Sequence, residues 1–275
     1  MEGARAVSKA LTLLNTFTTE QPWWTLSQLG RATGMPLSTV NRLLSALEAA
    51  GAVQREHRGS RYAIGYRTLM WGAVAQASST LQSLARPFLE RLSESTGETA
   101  AVYLRQGQVR VCIDVVNSSQ PVHRSIRLGE IAPLGVGAAG RVVAAYLPEE
   151  EQVALHIPII ERAVLRQVPR QAVVCTIRDR LKDAWALASP LKDSAGEVDA
   201  ALVLTGPASR FHAGLFATYW PRMREDARAL SEQRGAPATA LAEYRAPASS
   251  PVVFGIGNPP GEETGAVPEY RPEVG

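Results

Sequence analysis

The stretch from Gly34 to Gly51, GMPLSTVNRLLSALEAAG, constrains this 275-residue chain more than any other. Val40, Leu43, Leu44 and Leu47 fall at i, i+3, i+4 and i+7, so they form the apolar stripe of one helix. Ser38, Asn41, Arg42 and Ser45 project from the other side, which is polar, compact and nearly free of carboxylates. Pro36 suits a first helical turn and Gly51 the left-handed residue after a helix end. A helix held from behind in this way, with a small polar front, can lie in a DNA major groove, although an amphipathic helix taken alone more often just covers a core.

Its neighbours strengthen the reading. Thr25 to Ala32 (TLSQLGRA) opens on an N-cap threonine, packs Leu26 and Leu29 inward and ends in a turn around Gly34, giving helix–turn–helix. Ala52 to Gly65 (AVQREHRGSRYAIG) reads as two short strands joined by Arg58-Gly59-Ser60, a wing carrying Arg55, Arg58 and Arg61 toward phosphates or a minor groove. A plain solvated hairpin is the alternative. Residues 1–67 hold 8 Lys+Arg against 4 Asp+Glu, an excess of +4, within a chain whose total is only +3. The basic end is the helix–turn–helix end, as phosphate contacts require.

Lys9 to Gly65 resembles the winged helix of the IclR-type family of bacterial transcriptional regulators. The resemblance is carried by a start helix (Val7 to Phe17), a T-L-x-x-L helix, then G-x-P-x-S-T-V-x-R-L-L-x-x-L and a Y-x-x-G after the wing. Gly34, Pro36, Ser38, Thr39, Val40, Arg42, Leu43, Leu44, Leu47, Tyr62 and Gly65 meet it. Asn41 stands where the family often has histidine, a departure that bears on base preference and not on fold. Leu128 to Tyr146 and Ala186 to Phe211 resemble the two most recognisable segments of the family's GAF-like effector-binding domain.

The expected fold is therefore α+β. Residues 1–67 form a winged helix–turn–helix domain, 68–84 a linker helix, 85–245 an effector-binding domain, and 246–275 a disordered tail. The linker's Leu69, Met70, Trp71 and Val74 are too apolar for water, so a second copy of the chain is the simplest cover. From Glu98 the period changes to two: Glu98–Arg105 and Gln108–Val116 are strands around Gln106-Gly107, and Pro121–Leu128 is a third. Leu134–Tyr146 returns to helix, Trp185–Lys192 and Val198–Thr205 are strands, and Ala213–Arg234 is the final helix. The expected sheet is antiparallel, with helices packed on it. The last thirty residues contain 6 Pro and 5 Gly and carry 1 Arg against 4 Glu, composition too poor to bury a core.

Several chemistries find no support. Gly135-Val136-Gly137-Ala138-Ala139-Gly140 satisfies G-x-G-x-x-G, but the preceding segment contains Arg, Gly, Glu and Pro, and another helix follows, so a dinucleotide-binding turn does not fit. His57, His123, His156 and His212 are widely spaced, Cys112 and Cys175 form no C-x-x-C, and no G-x-S-x-G occurs. No metal, cofactor or catalysis is expected. Neither an apolar run of about 18 residues nor a signal-peptide core is present, which predicts a cytosolic, unanchored protein.

The resemblance implies a sequence-specific regulator, expected to be a repressor, that binds double-stranded operator DNA as a homodimer or dimer of dimers. Thr25, Ser38, Thr39, Asn41, Arg42, Ser45, Arg55, Arg58 and Arg61 are the expected DNA contacts. It implies a ligand site bordered by Gly137–Arg141, the strand carrying Ala186 and the strand after it. Leu134, Gly137, Ala138, Ala139, Ala186, Val203 and Thr205 are the expected lining. The start of that helix offers free N–H groups to a carboxylate. Carboxylate-sensing relatives often place cysteine and serine on those walls, where this chain has Ala186, Val203 and Thr205. The expected effector therefore carries at most one anionic group and a sizeable apolar body. A regulator with a vestigial pocket, acting without ligand, is the alternative.

Overall fold

A computed structural model describes residues 2–255 apart from Glu20, Arg58, Phe211, His212 and 246–249. The chain divides into two compact units, 1–79 and 80–275.

In the first unit, α1 (Glu2–Leu14), β1 (Trp24–Thr25), α2 (Leu26–Thr33) and α3 (Leu37–Ala49) precede a wing of β2 (Val53–Arg55) and β3 (Arg61–Ile64), and α4 (Arg67–Ser78) follows. The sheet order is β1-β3-β2, all antiparallel. Leu13, Leu29, Val40, Leu43, Leu44, Val53 and Tyr62 make its core. The helix ends are set by sequence. Thr25 and Gln28 form a capping box at the start of α2, and Gly34 ends that helix at φ +67°. After α3, Gly51 N–H bonds Glu48 O at 2.9 Å and Ala52 N–H bonds Leu47 O at 2.9 Å, with Gly51 at φ +73°. This is the Schellman pattern, which satisfies carbonyls the helix leaves over. Pro36 stands at the N-cap of α3, one residue earlier than a first-turn position.

In the second unit, α5 (Thr80–Thr96) leads into β4 (Thr99–Gln106), β5 (Val109–Val116) and β6 (Ile131–Pro133). Then come α6 (Gly137–Ala144) and the short helices α7 (Glu149–Ala154), α8 (Ile159–Leu165) and α9 (Val168–Gln171). Strands β7 (Val174–Ile177), β8 (Ala184–Lys192) and β9 (Val198–Pro207), helix α10 (Ala213–Gln233), a short α11 (Ala238–Leu241) and β10 (Val252–Gly255) complete it. The sheet order is β10-β7-β8-β9-β4-β5-β6. Both faces are buried. Along β9, Ala200, Leu202 and Leu204 face the core with Phe88, Leu92 and Met223, while Ala201 and Val203 face the core with Ala138, Ala139 and Val142. Alternate residues point to opposite faces, so a strand covered on both sides must be apolar at nearly every position, as β9 is.

Four expectations are corrected. Pro121–Leu128 is not a strand; the sheet instead takes Ile131–Pro133, which pairs with Val109–Val111. The linker helix ends at Ser78 and not at residue 84, because Ser79 is extended (φ −84°, ψ 98°) within a Ser78-Ser79-Thr80 run of weak helix formers, and a separate helix begins at Thr80. The sheet is mixed, since β10 runs parallel to β7 while its other pairings are antiparallel. And the segment called a disordered tail contributes β10, whose Val252 and Phe254 are buried against the α6 side of the sheet. A composition averaged over thirty residues conceals a short Val-Val-Phe run. The rest of that tail, 256–275, lies outside the described residues. Cys112 and Cys175 are free and buried. No helix among the described residues is long and apolar enough to cross a membrane.

Truncation after Arg245 therefore removes buried apolar surface and a row of sheet hydrogen bonds. Phe254→Ala alone is expected to lower the unfolding free energy by about 2–4 kcal/mol in urea denaturation, toward the lower end of buried Phe→Ala costs because the strand is at an edge.

Candidate functional site

The first candidate surface is the front of α3. Ser38, Asn41, Arg42 and Ser45 are exposed and Thr39 is half-buried, while Val40, Leu43 and Leu44 anchor the back. The helix carries one carboxylate, Glu48, near its C-terminal end. The structure thus brings five of the expected DNA contacts to one helix. Thr25 is separate: its hydroxyl accepts from Gln28 N–H at 3.3 Å and bonds Gln28 Oε1 at 3.0 Å, so its side chain is committed to capping α2.

In the wing, Arg55 is exposed with its guanidinium 5.7 Å from the Tyr62 ring centroid. Arg58 lies outside the described residues. Arg61 is not a free cation. Its Nε donates to Glu56 Oε2 at 3.0 Å and its Nη2 to Glu56 Oε1 at 2.5 Å, and its guanidinium stands 5.7 Å from the Trp23 ring centroid. The Arg61 hydrogen bonds hold the Glu56 carboxyl below its ordinary pKa, so the pair stays ionised near neutral pH. Sequence reasoning missed this neutralising partner, whose i, i+5 spacing across a hairpin tip was the available signal.

The second candidate is a cavity in the second unit enclosing about 490 Å³ of empty space, its mouth included. Gly137, Ala138 and Ala139 of α6, Ala186 of β8, and Val203 and Thr205 of β9 line it. Six of the seven residues expected there are thus together. Leu134 is the correction: it is fully buried in the core on the α6 side and does not reach the cavity. Its N–H bonds Gln108 O at 3.0 Å, which turns the chain so that the side chain points into the protein.

The cavity is also more charged than its expected lining. Arg110, Arg124, Asp179 and Arg180 contribute, beside Tyr103, Ile126 and Thr176. Arg110 is only 4% exposed. Its Nη1 donates to the carbonyls of Pro133 and, at 2.7 Å, Val136, its guanidinium stands 5.6 Å from the Tyr103 ring centroid, and its Nε is buried without a hydrogen-bond partner. Burial pulls its pKa down to about 10, so it remains charged at neutral pH. Asp179 occupies the start of α6, where Gly137 N–H donates to its Oδ2 at 2.9 Å and Arg141 Nη1 donates to the same oxygen.

The signal for Arg110 was one of phase. In β5, Arg110, Cys112 and Asp114 are buried and Val109, Val111 and Ile113 only half-buried, the reverse of what an apolar-inward reading of VRVCIDVV assigns. The G-x-G-x-x-G glycines serve this packing. A Cβ on Gly140 would come within 2.2 Å of Leu134 O and 2.5 Å of Arg110 Nη1, and Gly137 has φ +72°. The strand before α6 is a three-residue antiparallel edge, and α7 follows.

Known proteins resemble the chain along most of its length. The family model described as bacterial transcriptional regulator IclR C-terminal matches residues 74–232, and the IclR helix-turn-helix domain model matches residues 6–57. The HTH-type transcriptional repressor AllR of Escherichia coli (strain K12) is 28% identical over 251 residues, 85% of this chain and 92% of AllR. The HTH-type transcriptional regulator KipR of Bacillus subtilis (strain 168) is 31% identical over 147 residues, 54% of this chain and 58% of KipR. A crystal structure of a putative IclR-type transcriptional regulator from Silicibacter sp. TM1040 superposes with a TM-score of 0.77 at 29% identity, covering 84% of this chain and 97% of that one.

Glu56→Gln should free Arg61 for phosphate. Affinity for non-specific duplex DNA is expected to rise, and the slope of log K against log salt to steepen by about 0.9, in fluorescence anisotropy titrations. An unchanged slope would mean that release from Glu56 adds no phosphate contact by Arg61.

Proposed function

We propose, from the premise that this chain belongs to the IclR family of bacterial transcriptional regulators, that it is a repressor which binds operator DNA through α3 and the wing and whose binding a small molecule modulates. The observation that carries the DNA reading is the exposed polar face of α3, with Ser38, Asn41, Arg42 and Ser45 on a helix anchored by Val40, Leu43 and Leu44. Arg42, Arg55, Arg58 and Arg61 position the protein on phosphates, and Ser38, Thr39, Asn41 and Ser45 read base edges.

The assembly is a homodimer at least. Leu69, Met70 and Val74 of α4 are each more than 60% exposed and Trp71 about half, an exposed apolar face of the kind that marks an interaction surface. Two helix–turn–helix units would then meet two half-sites, so the operator is expected to be palindromic.

The effector reading rests on the cavity beside α6, whose lining is part apolar and part charged. A molecule bound there shifts the regulator between states of different operator affinity by its difference in affinity for them. A second reading, a pocket that needs no ligand, is favoured by one observation: the Asp179 carboxylate already sits on the start of α6.

Two experiments test these assignments. Selection of bound duplexes from random sequence should return a palindrome, and Asn41→Ala should cost about 1–3 kcal/mol on that site while leaving non-specific binding nearly unchanged; unchanged base preference would refute the Asn41 role. Ala139→Phe should fill the cavity and abolish effector-induced release from the operator with unliganded operator affinity intact. A variant that still responds would move the effector site elsewhere.

A further inference from the structure

The stretch 236–255 reaches both faces of the second unit's sheet. Ala236, Leu241 and Tyr244 are buried in the core on the α10 side, whereas Val252 and Phe254 of β10 are buried in the core on the α6 side. Its first half is fastened by a buried polar network. Glu243 Oε1 accepts from the Tyr146 hydroxyl at 2.8 Å, just past the end of α6, and Oε2 stands 2.9 Å from Nζ of the buried Lys192. The Glu243 carbonyl accepts from Arg224 Nη2 at 2.6 Å, and the Tyr244 hydroxyl donates to Pro190 O at 2.6 Å.

The second half is held differently. β10 lies at the edge of the sheet and pairs with one neighbour, in parallel, over four residues. Parallel pairing is slightly the less stable kind, and short edge elements open locally at low free energy. The chain therefore has a fixed end at Glu243 and a releasable end at β10.

The releasable end touches α6. The Phe254 ring centroid lies 4.5 Å from the guanidinium carbon of Arg141, whose side chain is only 6% exposed, the desolvated setting in which a cation–π contact is strongest. Arg141 passes the contact on. Its Nε and Nη2 donate to Glu161 Oε2 at 3.2 and 2.8 Å, and its Nη1 donates to Asp179 Oδ2. The same Asp179 oxygen accepts the Gly137 N–H at 2.9 Å. Asp179 and Gly137 both line the cavity, so the chain's own carboxylate closes the cavity's helix end.

We propose that 236–255 is an intrachain latch: β10 and the first turn of α6 open as one unit, and release of β10 frees Arg141, unseats Asp179 and uncovers the helix end of the cavity. Docked, the strand maintains an autoinhibitory contact. Any event that displaces β10 thereby reaches the cavity from the far edge of the sheet. The latch stands whether or not the cavity takes an effector.

Native-state hydrogen exchange of the full-length protein, followed by mass spectrometry in increasing sub-denaturing urea, tests it at two amides. The Val252 N–H bonds Val173 O at 3.0 Å and reports on β10; the Gly137 N–H reports on the Asp179 seat. Both should show one opening, with protection equal within about threefold and the same urea dependence. Phe254→Leu keeps the apolar bulk and removes the ring, and should speed Gly137 exchange by about fivefold, the equivalent of one cation–π contact, with β4 and β9 amides unchanged. Coupling is reciprocal, so Asp179→Asn should speed Val252 exchange by a comparable factor, which decides the matter if Phe254→Leu fails to fold. Different urea dependences at the two amides overturn the proposal, as do a Gly137 rate unmoved by Phe254→Leu or a Val252 rate unmoved by Asp179→Asn. An equal rise throughout β4 and β9 overturns it too, since that is general loss of stability and not release of a latch.

Discussion

Burial of the Arg110 guanidinium is the constraint around which one end of the second unit is built. Taking an isolated charge out of water costs several kcal/mol even after relaxation, so a fold keeps it only if nearby dipoles and space are arranged for it. Here the arrangement is specific. The Pro133 and Val136 carbonyls turn toward Nη1, which requires the chain to leave β6 and bend immediately before α6. The three-residue β6 pairs at this place, with Ala132 opposite Arg110. Gly140 leaves the clearance that a Cβ would fill, and Gly137 supplies the positive φ of the turn into α6. What reads in sequence as a phosphate-binding signature is room for an arginine.

That distinction shows where sequence reasoning holds and where it stops. Local rules placed the elements of the first unit well, because each boundary there is set within a few residues: the Thr25–Gln28 box, Gly34 and the Gly51 Schellman turn are all written in neighbouring letters. The apolar runs of β8 and β9 are legible for the same reason, since burial on both faces leaves no alternation to misread. The failures involve partners distant in sequence. Ile131–Pro133 is a strand only because Val109–Val111 is beside it, and nothing local separates it from the Pro121–Leu128 stretch that seemed the better candidate. Arg110 is inward because its carbonyl partners lie more than twenty residues away. Asp179 reaches Gly137 across forty-two. Small residues at Gly137, Ala138, Ala139 and Ala186 revealed where a cavity would be; the charges inside it came from elements whose apposition the sequence does not announce.

The C-terminal strand extends the same chain of contacts. The family model ends at residue 232, so β10 lies beyond the part of the chain that it matches. Without β10, β7 would present its unpaired backbone as an exposed edge, a template for unwanted pairing. With it, Val252 and Phe254 join the core on the α6 side, and the Phe254 ring lies with its centroid 4.5 Å from the guanidinium carbon of Arg141. Arg141 in turn holds Asp179 at the start of α6. The last strand of the sheet is therefore two contacts away from the carboxylate that occupies the cavity's helix end.

The wing poses the complementary question of why an arginine proposed to face DNA is given a carboxylate partner at all. Stability is a poor answer, because Glu56 and Arg61 are both substantially solvated and exposed pairs contribute roughly 0–1 kcal/mol. Electrostatics toward DNA is a better one. Residues 1–67 carry an excess of only +4, and tying up Arg61 reduces the part of it available at the wing. Phosphate contacts raise affinity for every sequence alike, so each one removed lowers non-specific binding as much as specific binding, whereas contacts to base edges, as proposed for Ser38, Asn41 and Ser45, act on the preferred site alone. On the proposed reading, the ion pair holds the wing arginine in a defined place and restrains the general attraction to DNA. Discrimination then falls to the neutral polar face of α3, where one substituted side chain changes the ratio between sites and not merely the strength of binding.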